Sequence, residues 1–453
     1  MQWTDAAVRA ALGIAGPAAE ISFTSISTDT RSIGPGSLFV ALQGERFDGH
    51  AFLAAAQAAG ARAAVVREST ADVPGLHLYR VRDTLRVLGD LGRARRRSVT
   101  GPVIAITGTN GKTSTKEMVA AALGTRYRTY RTRENLNNLV GVPLSILEAP
   151  ADVEALVLEA GASVPGEIAR AREIIEPSIA VITNVAAGHL EGFGSGEQVL
   201  LEKVSLSDGV GLAIVGTEPS ALAEQVRKRA RKVITAGLAG ADRTPTRVEL
   251  TADGRPAVTI GSSRFVLDAR GKHQAANAML AWTVAEVLGL DPVRVAVALE
   301  SLALPGGRGE LVQHGNLTVL NDAYNANPAS FRAAIDLARS LRGNRRLVFV
   351  AGTMLELGSA SAAHHTEIAG HLAALRPDLL AAIGGFVPAL EPYRTALGDR
   401  LLLAQDTETL APLLASRIAG DELVVLKGSR GVALERLLPN LVARSSSPRP
   451  PMA

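Results

Sequence analysis

The sequence predicts an α/β protein of three domains, and three observations carry that prediction. The chain has 453 residues, about three times the length of an ordinary domain. Short apolar, β-branched runs alternate with stretches of helical spacing across most of it, the rhythm of parallel strands joined by crossover helices. One stretch, VIAITGTNGKTSTKEMVAAAL at 103–123, joins a buried strand, a glycine loop and a helix, the arrangement that holds a phosphate chain.

Composition narrows the class. Hydrophobic residues make up 47% and charged residues 20%, so large cores form and global disorder is excluded. The absence of cysteine removes disulfides, thiolate metal sites and cysteine nucleophiles, and fits a reducing compartment. No basic segment followed by an apolar run opens the chain, and no apolar stretch approaches the roughly 18 residues of a membrane span. A cytoplasmic protein is expected. The formal charge is +4 and aromatics are 4%; the basic clusters at 93–97 and 227–232 read as solvated helix faces, and no nucleic-acid surface is expected.

Residues 1–98 read as a small α/β domain: a short amphipathic helix at 3–12, a strand at 37–42, an alanine-rich helix at 52–59, and strands at 61–66 and 76–81. Turn-rich pieces lie between them at 27–31 and 44–50. Residues 99–302 read as a central domain on a P-loop-type, mainly parallel sheet, with strands at 103–106, 155–158, 179–183 and 212–215. Alternation around an Asp253-Gly254 turn at 248–267 adds an antiparallel appendage, and a helix at 274–288 closes the domain. Residues 303–440 open with a hairpin turning at 314–316 and continue with strands near 347–350, 379–383, 400–403 and 423–426, a Rossmann-like α/β domain. The stretch 441–453, ending RSSSPRPPMA, reads as a disordered tail.

Ligands of such sheets sit beyond the carboxyl ends of the strands. In the loop Thr107-Gly108-Thr109-Asn110-Gly111-Lys112-Thr113-Ser114, the glycines let amides converge on an anion, Lys112 supplies a point charge for the outer phosphates, and Thr113 a hydroxyl for Mg²⁺. The general pattern has Gly where this chain has Ile106. Glu159, at the end of a buried strand, needs a cation, and Mg²⁺ beside the loop is the obvious one. A lone histidine is more often structural, but His189 follows a third strand end of the same sheet. Lys203 alone reads as a surface lysine on a helix. Asn137 and Asn138 belong to an amide-rich stretch that either bridges loops or holds a polar ligand. In NDAYNANP at 321–328, Asp322 suits a ribose hydroxyl or a metal, and Asn325 and Asn327 suit purine edges or phosphate; an Asx-rich helix start explains the same residues. Arg308 and the Lys427–Arg430 turn are cations able to close over an anionic substrate. No Gly-x-Ser-x-Gly elbow, His-Glu-x-x-His helix or dinucleotide glycine pattern is present, which leaves hydrolase, zincin and dehydrogenase readings without support.

Together these stretches resemble the Mur ligase family, the ATP-dependent amide ligases of peptidoglycan precursor synthesis, over roughly residues 20–440. TGTNGKT at 107–113 is similar to the family's phosphate loop; NLNNLVGVPLSIL, GASVPGEIA, HLEGFGS and NDAYNANPAS indicate the branch that takes D-alanyl-D-alanine. The Asp-Asn-Pro-Arg motif expected of the relative adding the third peptide residue is absent. Folylpolyglutamate synthetases share the core but lack the DTRSIGPGSLFVALQGERFDGH block. The resemblance implies ATP and Mg²⁺ as cofactors and UDP-MurNAc-tripeptide with D-alanyl-D-alanine as substrates, joined through an acyl phosphate. A sister ligase with another amino acid or peptide acceptor is the alternative. It implies roles too: Lys112 and the loop amides for the ATP phosphates; Thr113 and Glu159 for one Mg²⁺, His189 for a second; Lys203 as a carbamylated metal ligand, although the family's Lys-Gly-Glu is here Lys203-Val204-Ser205. His273, Asn277, Asp322 and Asn325 would approach the nucleotide, and Arg308 its phosphates. Asp29, Thr30, Arg31, Asp48, Gly49 and His50 would hold the sugar nucleotide on the first domain, with Asn137 and Asn138 as further substrate residues. A monomer is expected.

Overall fold

The computed structural model describes residues 3–45 and 47–445. Arg46, in the expected turn 44–50, and residues 446–453 of the expected tail lie outside them.

The first domain carries four parallel strands, in the order Ile26–Ser27, Leu38–Val40, Ala63–Arg67 and His77–Val81. The helix expected from residue 3 starts later. Trp3–Thr4 pairs antiparallel with Ser22–Phe23, and the Thr4 hydroxyl caps the helix Asp5–Leu12 by accepting from the Ala7 amide at 3.2 Å.

The central sheet has six parallel strands, ordered Val233–Thr235, Leu212–Val215, Ile179–Ile182, Val103–Thr107, Ala155–Glu159 and Thr129–Arg131. The inner runs are buried on both faces, each face covered by its own apolar cluster, which is why they read as continuous hydrophobic stretches. An antiparallel sheet of Arg247–Leu250, Pro256–Ile260 and Ser263–Val266 forms the appendage. The helix Lys272–Val287 does not close the domain: Asp291 caps one more helix, Pro292–Glu300, with Pro in its first turn.

The third domain orders its strands Glu310–His314, Leu317–Asp322, Leu423–Lys427, Leu347–Ala351, Leu379–Ile383 and Leu401–Ala404. The first is antiparallel and the rest parallel. A helix, Leu438–Ser445, runs into the stretch expected as tail, because Leu441 is buried in this domain's core.

The first two domains meet through the helix Thr84–Arg96. A Cβ on Gly92 would stand 2.7 Å from Pro143 Cβ and 2.9 Å from its Cα, so this glycine lets the helix seat against Gly141–Leu147 of the central domain. Arg95 donates to the Ala149 and Pro150 carbonyls at 3.0 and 2.7 Å, and Arg96 to those of Ile175 and Glu176 at 2.6 and 2.7 Å. Val140, Leu144 and Leu147 extend the first domain's core into the second.

Candidate active site

Strand register places the site. Ile106 pairs with Glu159 and Thr107 with Ile182, so the phosphate-type loop, Glu159 and the segment leading to His189 leave one sheet edge together. Gly108 (φ +143°) and Gly111 (φ +77°) adopt backbone that favours glycine. A Cβ on Gly108 would lie 2.0 Å from Thr183 Oγ1, and one on Gly111 2.4 Å from Asn277 Oδ1.

The segment after the third strand frames the loop. The Thr109 amide donates to the Asn184 carbonyl at 2.9 Å and the Asn110 amide to Asn184 Oδ1 at 3.0 Å. Thr183 Oγ1 donates to the Asn110 carbonyl at 2.6 Å. The Thr107 hydroxyl is committed to the Ala160 carbonyl (2.7 Å) and Thr109 Oγ1 to Ala186, while Ser114 is buried in the following helix. With the Thr109 and Asn110 amides taken by Asn184, an anion at this loop would be met by Lys112 and the amides after Asn110.

Lys112 Nζ lies 2.9 and 3.1 Å from the Gly108 and Thr109 carbonyls. Burial holds its pKa below the usual lysine value, and Arg308 nearby adds to that while Glu159 and Glu356 oppose it. Thr113 Oγ1 donates to Glu159 Oε2 at 2.9 Å, and Asn137 Nδ2 to Oε1 at 2.8 Å. Glu159 is 2% exposed. Asn137 therefore serves the carboxylate, whereas Asn138 Oδ1 accepts from the Gly141 amide at 2.8 Å and starts the next helix.

Lys203 is 1% exposed, and its Nζ has no hydrogen-bond partner among the described residues. It sits 5.8 Å from the centre of the Phe193 ring. The surface-lysine reading fails because Lys203 falls one turn after buried Val199 on the same helix face. Burial, with Lys112 adding to it, brings its pKa down to about 7, so near neutrality much of it is a free amine.

The third domain supplies the opposite wall. Asn327 caps Pro328–Arg342 and exchanges side-chain hydrogen bonds with Asn110 at 2.6 and 3.3 Å. His189 Nδ1 lies 2.7 Å from Glu356 Oε2, a carboxylate the sequence did not single out; the neighbouring imidazole holds Glu356 below the usual carboxylate range. Asp322 pairs with buried Lys427 at 2.8 Å, and Lys427 also donates to the Asn325 carbonyl at 2.7 Å. Asn325 Oδ1 takes the Ala326 amide. Arg308 lies 3.8 Å over the Tyr324 ring, with Arg430 at 5.3 Å. Asn277 is buried beside Gly111 and donates to Gln274 Oε1 at 3.0 Å, while His273 is exposed one turn earlier.

The residues expected on the first domain form separate groups. Arg31 forks onto Asp29 at 2.6–3.1 Å, which holds that carboxyl at about 2. His50 Nδ1 lies 2.6 Å from Asp48, which also meets Arg67. Gly49 sits where a Cβ would be 2.8 Å from the Leu42 carbonyl oxygen, and Thr30 is half-buried beside Asp29. These side chains pair within their own domain and are not brought to the phosphate-type loop.

Comparison with known proteins agrees with this geometry. The family profile described as "Mur ligase middle domain" matches residues 106–285, "Mur ligase, glutamate ligase domain" matches 307–430, and "Mur ligase family, catalytic domain" matches 22–140. UDP-N-acetylmuramoyl-tripeptide–D-alanyl-D-alanine ligase of Bacillus subtilis (strain 168) is 34% identical over 433 residues, covering 92% of this chain and 93% of the relative. The Escherichia coli (strain K12) protein of the same name is 35% identical, covering 93% and 94%. Among solved structures, MurF from Acinetobacter baumannii superposes with a TM-score of 0.89 at 31% identity, over 98% of this chain and 99% of that one. MurF ligase from Thermotoga maritima in complex with ADP gives 0.83 at 27% identity, over 93% and 97%. With a loop, a buried carboxylate and a buried lysine gathered at one sheet edge, and relatives alike from end to end, the chain belongs to the Mur ligase family.

Proposed function

We propose that this chain is the ATP-dependent ligase that joins D-alanyl-D-alanine to UDP-MurNAc-tripeptide through an acyl phosphate, yielding UDP-MurNAc-pentapeptide for peptidoglycan. The observation that carries the chemistry is the buried Thr113–Glu159 pair beside Lys112, with the unpartnered amine of Lys203 in the same region. The acceptor is assigned from full-length likeness to ligases of that name.

The loop amides and Lys112 bind the ATP phosphates, with Arg308 approaching from the third domain. The terminal carboxylate of the tripeptide attacks the γ-phosphorus, an O–P bond forms, and ADP leaves. The D-alanyl-D-alanine amine then attacks the acyl carbon, and phosphate leaves from the tetrahedral intermediate. The residues act by placing groups and stabilising charge, as phosphoryl transfer requires. The contacts from Asn327 and Glu356 close the third domain over the site and keep water from the acyl phosphate.

The donors fit Mg²⁺: a buried carboxylate and a hydroxyl are hard oxygen ligands that leave room for phosphates and water. Thr113 and Glu159 would hold one ion, His189 and a carbamylated Lys203 a second; when bound, such ions neutralise charge on the transferring phosphoryl group. The neutral Lys203 amine is able to add to CO₂, forming an N–C bond and releasing one proton, which turns a cation into a carboxylate analogue. Asp29, Thr30, Arg31, Asp48, Gly49 and His50 hold the sugar nucleotide, while Asp322, Asn325, His273 and Asn277 surround the nucleoside of ATP. Residues 1–98, 99–302 and 303–440 bind sugar nucleotide, ATP, and dipeptide with part of the ATP, respectively. The chain is taken to act as a monomer. Among the described residues no helix is long and apolar enough to cross a membrane, and nucleotide-linked substrates support a cytoplasmic enzyme.

The test is phosphate release from ATP and Mg²⁺ with UDP-MurNAc-tripeptide, with and without D-alanyl-D-alanine. Release that needs both substrates is expected. Release without the dipeptide, or triggered by another amino acid instead, overturns the assignment in favour of a sister ligase.

A further inference from the structure

His189 and Glu356 come from different domains, yet both are held in left-handed backbone, at φ +55° and +64°. For residues other than glycine this conformation is unfavourable and persists only where surrounding contacts enforce it. Here the contacts are visible. The loop bearing Glu356 is pinned to its own domain at three successive residues. Gly385 donates to Thr353 Oγ1, the Met354 amide to His365 Nε2, and the Leu355 amide to Ser429 Oγ, each at 3.0 Å. His365 is 1% exposed, and its Nδ1 lies 2.8 Å from the Ser361 carbonyl. Its Nδ1 therefore carries the proton and its Nε2 accepts. So fixed, the loop reaches the central domain: the Glu191 amide donates to the Glu356 carbonyl at 3.3 Å, and Glu356 Oε2 stands 2.7 Å from His189 Nδ1. Gly358 permits the approach, since a Cβ there would lie 3.2 Å from Glu191 Cα.

The 2.7 Å contact is an ion pair rather than an aligned hydrogen bond, since His189 Nδ1 has no hydrogen-bond partner among the described residues. A carboxylate this close to one ring nitrogen still restricts the orientation of an imidazole and leaves the other nitrogen for a metal. We propose that Glu356 is a positioning residue for the metal site: the third domain delivers it to His189, so that the ring is held for metal binding only when that domain has closed. This rests on the proposed function, which places a divalent cation at His189. Because Glu356 and the donors of the central domain belong to separate bodies, metal affinity and closure are linked, and each strengthens the other by the same factor. The enzyme then assembles its second metal position only when the water-excluding lid is in place.

The probe is Mn²⁺, whose binding to the full-length protein with ADP is followed by paramagnetic resonance, alongside small-angle scattering for closure. Glu356→Ala is expected to weaken Mn²⁺ binding about 10- to 100-fold, the usual effect of removing such a partner, and to leave a larger fraction of open protein at a given Mn²⁺ concentration. Glu356→Gln, which keeps the shape and an acceptor oxygen, is expected to fall between Glu356→Ala and the parent, and it carries the test should Glu356→Ala not fold. In turnover, the Mg²⁺ concentration for half activation should rise while KM for UDP-MurNAc-tripeptide holds. Mn²⁺ affinity within twofold of the parent in both folded variants overturns the inference alone. A parent protein that binds no Mn²⁺ with ADP overturns the proposed function and the inference with it.

Discussion

Replacing Lys203 by Met separates what this residue costs the fold from what it gives the reaction. Burial brings the Lys203 pKa to about 7, against 10.5 for a solvated lysine. That gap corresponds to about 4 kcal/mol of stability lost at pH 7. The sign follows from proton counting. Between pH 10.5 and 7 the unfolded chain binds a proton that the folded protein refuses, so stability falls as the pH drops through this window and levels off below it. Met has similar length, carries no charge and suits the Phe193 ring, whose centre lies 5.8 Å from Lys203 Nζ. Allowing about 1.5 kcal/mol for imperfect packing, Lys203→Met should gain about 3 kcal/mol at pH 7, or about 6–12 °C in Tm for a domain of this size. At pH 9 the gap should nearly vanish, because the charge penalty has dropped to about 2 kcal/mol. Calorimetry in degassed, CO₂-free buffer at both pH values gives the comparison, and phosphate release should be lost in the variant. A Tm for Lys203→Met that is unchanged or lower at pH 7, or an advantage that does not shrink by pH 9, refutes the reasoning. Added bicarbonate should stabilise the parent and leave Lys203→Met unaffected, since only the lysine forms a carbamate.

Gly108→Ala puts a Cβ 2.0 Å from Thr183 Oγ1 and 2.9 Å from the Asn184 carbonyl oxygen, breaking the frame of the loop. ATP affinity by calorimetric titration should fall at least tenfold, about 1.4 kcal/mol, while Gly166→Ala, also at positive φ but with nothing within 4 Å, should lose stability of about 1 kcal/mol without losing ATP. Glu176 is held at about 2 by Arg97 and Arg93. Its stabilisation is complete above the ordinary pKa of 4.5 and is lost as the pH falls towards 2. In urea midpoints at pH 6, 4 and 3, the parent's advantage over Glu176→Gln should therefore shrink with falling pH, and a constant difference would count against the pairing.

The inner strands were legible because they lie under helices on both faces, so burial wrote an unbroken apolar run into residues such as Val103–Thr107 and Leu347–Ala351. Thr129–Arg131 and Val233–Thr235 were not: each has three residues at a sheet edge, and the first is half-buried or exposed throughout. Pro292–Glu300 had a readable start in Asp291-Pro292, overlooked because the preceding helix already offered an end. In the site, the phosphate-type loop and Glu159 were readable from local order alone, as loop glycines and a strand-end acid carry their reasons beside them. The burial of Lys203 was visible in principle from its one-turn spacing to Val199, had the polarity of lysine not outweighed the helix face. Glu356 was beyond local reading, because its meaning depends on a contact made 167 residues away along the chain, at His189.

The joint at Gly92 and Pro143 has a consequence for selectivity. One helix shares its core with the central domain and is tied to it by Arg95 and Arg96, so the first two domains form a caliper. On the proposed function, the jaws are the sugar-nucleotide residues at one end and the phosphate loop at the other. A muramyl peptide one residue short would leave its carboxylate about 3.5 Å from where it must react, and a misplacement of about 1 Å already costs near a hundredfold in rate. Such an enzyme rejects the unfinished precursor by length alone, whatever side chains that precursor carries.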